Sequence, residues 1–421
     1  MIQKPRGTID ILPEDSVKWQ YIEETIRRIC RAYGYGEIRL PTFEATELFA
    51  RGIGDSTDVV QKEMYSFEKE NRNYTLRPEG TANVMRSVIE NTLYGDALPV
   101  KLYYLMNCFR YEKPQAGRLR EYTTFGIEQI GSVSPVVDAE VISLAESLIK
   151  KLGITGVALH INSIGCMADG CRSYYHKILK EYLSGNYGEL CDTCKSRLER
   201  NATRVLDCKS EACQKVVASA PKHKDYICAE CKDHFDALQS YLKALGIGFT
   251  VNPLIVRGLD YYTKTVFEFI SENIESLGGA LVGGGRYDGL SEIIGGPLLP
   301  GIGFGMGLNR LVMELENSGH KFPAQPKPAV YIAALPDARE TSAALVKILR
   351  EAGIYAETDN MERSLKAQMK YADKTGAEFV YVIGSDEVEK RSAVLKNMRT
   401  SEQLEAEFDK LIEILKGAAK I

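Results

Sequence analysis

The stretch GIGFGMGLNRL, Gly301 to Leu311, decides the fold. Gly301, Gly303, Gly305 and Gly307 recur at every second residue, so on a strand all four share one face. A strand face without side chains lets a flat group lie against the backbone. Arg310 follows in the first turn of a helix, where amide dipoles favour anions. The pattern predicts a nucleotide pocket, with a base or sugar on the glycine face and a phosphate near Arg310. A tightly packed strand in a crowded core would carry the same glycines. The spacing is not a dinucleotide fingerprint, because it lacks the strand–turn–helix context that seats a pyrophosphate. GGGRYDGL, Gly283 to Leu290, reads by itself as a flexible turn.

Upstream, VKLYYLMNCFRYE and REYTTFGIEQIG are aromatic and β-branched enough to be strands, joined by the hairpin loop KPQAGRL. Strand alternation puts Arg110 and Glu112 on one face. An arginine can take a phosphate oxygen there while a carboxylate accepts from an adenine amine. A solvated charged hairpin would look similar. In LRPEGT, Glu79 precedes a helical run, where it could hold a substrate ammonium or simply start the helix. In RGLDYYTKTVFEF, Arg257 comes just before Tyr261 and Tyr262 at the mouth of a strand. Taken alone, these residues would only decorate a strand entrance.

The whole chain has 421 residues, 44% hydrophobic and 26% charged, which predicts a globular protein of two or three domains. A net charge of −4 does not advertise a nucleic-acid partner, so any such partner must be met by local basic patches. The N-terminus lacks a signal-peptide core, and no apolar run is long enough to span a membrane. A cytoplasmic location is therefore expected, and with it reduced thiols or metal ligands rather than disulfides.

Eight of the ten cysteines fall between Cys166 and Cys231, among polar helical stretches, which reads as an inserted small domain. Cys191 and Cys194, and Cys228 and Cys231, have the spacing of a tetrahedral zinc site. The expectation is one structural zinc on those four, stapling an insert poor in apolar residues. Cys166 with Cys171, and Cys208 with Cys213, are looser pairs, and free half-buried thiols are the alternative. After a Gly/Pro-rich linker the pattern alternates strand and helix to the end. The fold expected is α+β, with an antiparallel sheet at its heart.

Together these pieces resemble the class II aminoacyl-tRNA synthetases, and specifically the histidyl-tRNA synthetase family, across essentially the whole chain. RLPTFEATELFARGIGDSTDVVQKEMYSF resembles motif 1, FRYEKPQAGRLREYTTFGIE motif 2 and GIGFGMGLNRL motif 3. RGLDYYTKTVFEF and GGGRYDGL resemble two peptides particular to the histidine enzyme, and the tail resembles its anticodon-binding domain. The resemblance implies a catalytic domain at 1–165 and 250–318, a Cys-rich insertion at 166–249, a linker at 319–327 and an anticodon-binding domain at 328–421. It implies ATP with Mg²⁺, L-histidine and tRNA(His) as substrates, and a homodimer with Pro41 at its interface.

Roles follow by the same likeness. Arg110 would bind the ATP α-phosphate and the histidine carboxylate, Glu112 would read adenine, and Arg118 and Arg310 would hold the γ-phosphate. Glu79, Gly80 and Thr81 would take the histidine amino group. Glu128, Tyr261, Tyr262 and Tyr287 would form the imidazole pocket. Arg257 would supply at the α-phosphate a fixed charge that other synthetases of the class take from a metal. The chain departs from the family at Thr124, where a glutamine usually contacts the histidine amino and carboxylate region. Threonine cannot make that two-ended bond. Asn309 replaces a frequent glutamate and reads as a helix-surface position. Two other readings compete. One is a catalytically silent regulatory subunit of histidine biosynthesis; the other is a zinc-bearing nucleic-acid-binding protein.

Overall fold

The computed structural model describes residues 1–54, 57–168, 170–273 and 279–418. Asp55 and Ser56, in the stretch resembling motif 1, lie outside them. The chain divides into two compact units, Met1–Pro323 and Ala324–Ile421. Strands of the first unit are β1 (Gly36–Glu37), β2 (Phe43–Ala45), β3 (Tyr65–Lys69), β4 (Arg72–Leu76), β5 (Val100–Phe109), β6 (Glu121–Ile130), β7 (Val157–Ser163), β8 (Thr250–Val251), β9 (Thr263–Ser271), β10 (Ala280–Arg286) and β11 (Gly301–Gly307). Eight of them form one sheet in the order β1-β5-β6-β11-β10-β9-β7-β8. Its inner pairs are antiparallel and its two edge pairs parallel. The expected α+β fold around an antiparallel sheet is what the chain adopts.

Alternation sorts the two faces of this sheet. Phe125 and Ile127 of β6, Ile302, Phe304 and Met306 of β11, and Phe267 and Phe269 of β9 turn to one side. There they meet Ile22 and Ile26 from helix Pro13–Ala32, Leu144 and Leu148 from helix Pro135–Lys151, and Leu238 and Leu242 from helix Ala229–Ala244. This core also holds a buried ionic knot. Arg286 of β10 donates to Asp138 of the second helix, and His234 of the third lies 2.8 Å from the same carboxylate. The other face, carrying Thr124, Glu128, Glu268 and the glycines, is left for the site.

Gly283 to Gly285 are not a turn. They pair on both sides inside β10, Gly283 with Gly305 and with Glu268. Glycine here serves close packing across the sheet, because a Cβ on Gly284 would collide with Phe304, Phe267 and the Gly303 carbonyl.

Between β7 and β8 the described residues make four α-helices, Arg172–Gly185, Asp192–Arg200, Glu211–Ala218 and Ala229–Ala244. The first three share a small core around Tyr175, Leu179, Leu198 and Val217, and the last packs back on the main core. The expected four-cysteine set is divided. Cys191 and Cys194 gather with Cys208 and Cys213, whereas Cys228 and Cys231 gather with Cys166 and Cys171. Spacing finds each two-residue knuckle, but not which knuckles the chain folds against each other.

The second unit is a five-stranded sheet ordered β13-β12-β14-β15-β16, from β12 (Val330–Ala334), β13 (Ala356–Thr358), β14 (Phe379–Ile383), β15 (Ser392–Asn397) and β16 (Gln403–Glu407). Its first three strands are parallel and the rest antiparallel. Buried Gln368 bonds both the N–H and the carbonyl of Ala334, fixing helix Leu365–Thr375 to β12.

Candidate active site

A cavity of about 980 Å³ opens over the free face of the large sheet, with the insertion as its roof. Glu79, Gly80, Thr81, Arg110, Glu112, Arg118, Thr124, Arg257, Tyr261, Tyr262 and Arg310 all line it. Glu128 and Tyr287 do not; both are buried behind the wall. The described residues thus bring together eleven of the thirteen residues to which the likeness gives a substrate role, and place two behind them.

One end is built from carboxylates and hydroxyls. Glu79 starts helix Thr81–Glu90, accepting the N–H of Thr81 at 2.6 Å and of Ala82 at 2.9 Å. It therefore satisfies two of the amides that a helix start leaves unpaired, and still meets the Tyr261 hydroxyl at 3.4 Å. Burial pushes its carboxyl above the ordinary value. Behind it, Glu128 accepts from Thr81 Oγ1 at 2.8 Å, from the Tyr104 hydroxyl at 3.1 Å, and from the Tyr287 hydroxyl. Burial pushes Glu128 up to about 8, against three hydroxyls that favour its ionised form. The Tyr261 and Tyr262 rings lie 4.8 Å apart, and Tyr287 meets Tyr261 edge-on at 5.8 Å.

The other end is built from guanidinium groups. Arg110 is past the end of β5, and its Nε donates to the Pro78 carbonyl at 2.8 Å. Its approach to Glu112, at 4.0 Å, comes from a tight turn rather than from strand alternation, since the Glu112 N–H donates to the Arg110 carbonyl. Arg118 stands 3.5 Å from Glu112 at the hairpin tip. Arg310 donates to the carbonyls of Gly117 and Ala280, tying its helix to that loop. Arg257 is ion-paired to Glu268 of β9, and its guanidinium lies where a side chain on Gly283 would be. Its buried Nε has no hydrogen-bond partner among the described residues.

The glycine face of β11 serves both ends. Tyr287 covers Gly301 and Glu128 covers Gly303, so closely that a Cβ at either position would collide. Gly305 meets only Thr124 Oγ1, at 3.9 Å, and nothing lies within 4 Å of Gly307. Only the Gly305–Gly307 half is open to a flat ligand.

Several contributors were not singled out in the sequence. Glu268 has one local signal, its place between Phe267 and Phe269, which puts it on the opposite face from them. Tyr104 and Gly126 are interlocked, the ring filling the space of the missing side chain. Asn309 is no bystander, for its Oδ1 accepts the Thr123 N–H at 3.1 Å. Arg197 and Arg204 reach the cavity from the insertion and lie 3.6 and 3.9 Å from Asp58. Nothing local in the sequence marks that long-range docking.

An antiparallel sheet with an arginine-lined hairpin, a glycine strand leading into an arginine-bearing helix, and a closed carboxylate pocket beside them defines a class II aminoacyl-tRNA synthetase core. The family model described as Histidyl-tRNA synthetase matches residues 7–311, and that described as Anticodon binding domain matches residues 329–418. The chain belongs to the histidyl-tRNA synthetase family. Histidine–tRNA ligase of Acetivibrio thermocellus is 52% identical over 99% of this chain and 100% of its own. That of Caldanaerobacter subterraneus subsp. tengcongensis is 51% identical over the same shares. The crystal structure of apo S. aureus histidyl-tRNA synthetase, 40% identical, superposes with a TM-score of 0.83 and covers 99% of this chain and 100% of its own.

Proposed function

We propose that this chain activates L-histidine with ATP and transfers the histidyl group to tRNA(His). The observation that carries the mechanism is Arg257. It is held by Glu268, laid on the Gly283 backbone, and keeps an unpaired buried donor between the tyrosines and the other arginines. A histidine carboxylate oxygen attacks the α-phosphorus, the bond to the bridging oxygen breaks, and pyrophosphate leaves. Negative charge builds at phosphorus, so fixed cations and alignment do the catalytic work, with little acid–base chemistry. Arg257 and Arg110 serve as those cations. Arginine suits the task because it stays charged and offers a planar fork of donors.

Glu112 reads the adenine amine, and Arg118 and Arg310 hold the γ-phosphate. Glu79, Gly80, Thr81, Thr124 and Arg110 orient the histidine amino and carboxylate groups. Tyr261 and Tyr262 wall the imidazole, and Glu128 and Tyr287 position that wall from behind. Mg²⁺ would accompany ATP and neutralise its outer phosphates. A terminal ribose hydroxyl of the tRNA then attacks the histidyl carbonyl, and AMP leaves.

Residues 1–165 and 250–318 carry this chemistry in our reading, with 166–249 as the insertion and 319–327 as linker. Residues 328–421 would meet unpaired anticodon bases by stacking and edge hydrogen bonds. A cytoplasmic homodimer with Pro41 in its interface completes the proposal; among the described residues no helix is long and apolar enough to cross a membrane. Exchange of labelled pyrophosphate into ATP tests the reading. Exchange that depends on histidine is expected; exchange absent with histidine present would favour the silent regulatory subunit.

A further inference from the structure

We infer that the insertion holds two zinc ions, one in each four-thiol cluster, and that together they brace the loop carrying Arg257, Tyr261 and Tyr262. In each cluster all four sulfurs lie within 4.8 Å of one another. Four sulfurs each about 2.3 Å from one tetrahedral zinc stand about 3.8 Å apart. The sulfur pairs Cys166–Cys228, Cys171–Cys231 and Cys191–Cys208 are separated by 3.8, 3.9 and 3.9 Å. A disulfide would need about 2.05 Å. A second feature is the backbone around the sulfurs. Cys171 Sγ accepts the backbone N–H of both Cys166 and Cys228 at 3.3 Å, and Cys213 Sγ accepts that of Cys191 at 3.2 Å. Donors placed behind a ligand atom in this way orient it toward a metal. Gly165, at φ +73°, brings the chain so close to Cys171 Sγ that a Cβ would lie 2.8 Å away. Four thiolates leave no open position, so both sites are structural.

The clusters differ in what they fasten. Cys166 follows β7, where the chain leaves the sheet, and Cys228 and Cys231 begin the helix that returns to it, so this cluster closes the root of the insertion. Arg172, the residue after Cys171, donates to the Tyr262 carbonyl at 2.7 Å and the Asp260 carbonyl at 3.3 Å. Glu230, between Cys228 and Cys231, accepts from Lys264 at 2.8 Å. The other cluster organises the tip. Its segment supplies Asn201, which donates to Asp260 Oδ1 at 3.0 Å, and Arg204, whose guanidinium lies 3.0 Å from a Cβ placed on Gly258. The loop 257–262 and the start of β9 are thus gripped from both sides by residues whose own positions the clusters set.

The metal claim stands on the cluster geometry alone; the claim about the loop rests on the function proposed above. Metal analysis of the full chain, reduced, reconstituted with zinc and gel-filtered, is expected to find two zinc ions per chain. Cys213→Ser and Cys231→Ser are each expected to retain one, and the double variant none. Cobalt substitution of the wild-type chain checks the same point without a variant, and two equivalents of tetrahedral tetrathiolate cobalt are expected. One zinc per chain, none, stoichiometric iron, or Cys213→Ser retaining two would each overturn the proposal. The bracing is read separately. Arg172→Met is expected to keep two zinc ions and to raise KM for histidine about tenfold, with KM for ATP unmoved. An unchanged KM for histidine would overturn the bracing even if both metals are present.

Discussion

The two ends of the cavity solve opposite problems. At the amino-acid end, Glu79, Glu128, Tyr104, Tyr261, Tyr262 and Tyr287 are all buried, and the carboxylates are already hydrogen-bonded within the chain. At the phosphate end, the Arg110, Arg257 and Arg118 side chains are 23, 22 and 48% exposed, Arg257 and Arg118 each beside one carboxylate and Arg110 beside a carbonyl and a carboxylate. A pocket that must tell one side chain from others is set rigid before the substrate arrives. A site that must meet charge developing at phosphorus keeps donors uncommitted. Arg257 belongs to both, being anchored by Glu268 and stacked near Tyr262 at 5.7 Å while its side chain lines the cavity.

Removing Arg257 should break the contrast most. Arg257→Ala is expected to slow adenylation by about 10³-fold with KM for histidine little changed, measured by single-turnover formation of the adenylate. Glu268 loses its partner in that variant, so Arg257→Lys is the useful companion. It keeps a charge but not the fork, and should recover only part of the rate. An equal loss in kcat and in histidine affinity would mean that the two ends are one unit.

Glu128 tests the closed end through pH. Its folded value, about 8, lies above the ordinary 4.5, so between those values the folded chain keeps a proton that the unfolded chain has lost. Its contribution to stability is therefore full below about 4.5, declines as pH rises through that window, and is flat above it. Glu128→Gln cannot titrate. The variant should gain on the wild type from pH 5 to pH 8, by a total on the order of a few kcal/mol, in denaturant unfolding. A difference constant with pH would show that the three hydroxyls keep Glu128 ionised.

Neighbouring glycines give the next test. Gly303→Ala drives a methyl into the Glu128 carboxylate and the Ile127 carbonyl, and should cost about 1–3 kcal/mol of stability. Gly305→Ala meets only Thr124 Oγ1, at 3.9 Å, so melting should be unchanged. Its methyl enters the open half of the cavity instead, and KM for ATP should rise about tenfold. Equal destabilisation by both would erase the boundary between the two ends.

What the sequence disclosed follows the same divide. Aromatic and β-branched composition exposed β5 and β6 as strands, and the period-two glycines of β11 exposed one face of a third. The arginines were legible because the hairpin is local in sequence. Contacts that cross the sheet were not. Gly283 to Gly285 read as a turn because three glycines carry no hydrophobic alternation, and their purpose appears only when Arg257 and Phe304 lie on them. The cysteine knuckles were visible, whereas their partners 60 residues apart (Cys171 and Cys231) required the fold.

Thr124 offers the smallest and finest test. Its hydroxyl proton is shared between the carbonyls of Phe125 and Met306 at 3.3 Å, so toward a ligand its oxygen can only accept. The space in front of it is free, since Gly307 opposite has nothing within 4 Å of a Cβ. A longer side chain can therefore extend over the open glycines without displacing protein. Thr124→Gln would present both an acceptor and a donor, one for the histidine ammonium and one for its carboxylate. KM for histidine should fall a few-fold with kcat nearly unchanged, the pattern of binding gained equally in ground and transition states. A rise in KM would mean that the substrate itself, or a water it retains, needs the space threonine leaves, and that the open end of the cavity is already as full as the closed one.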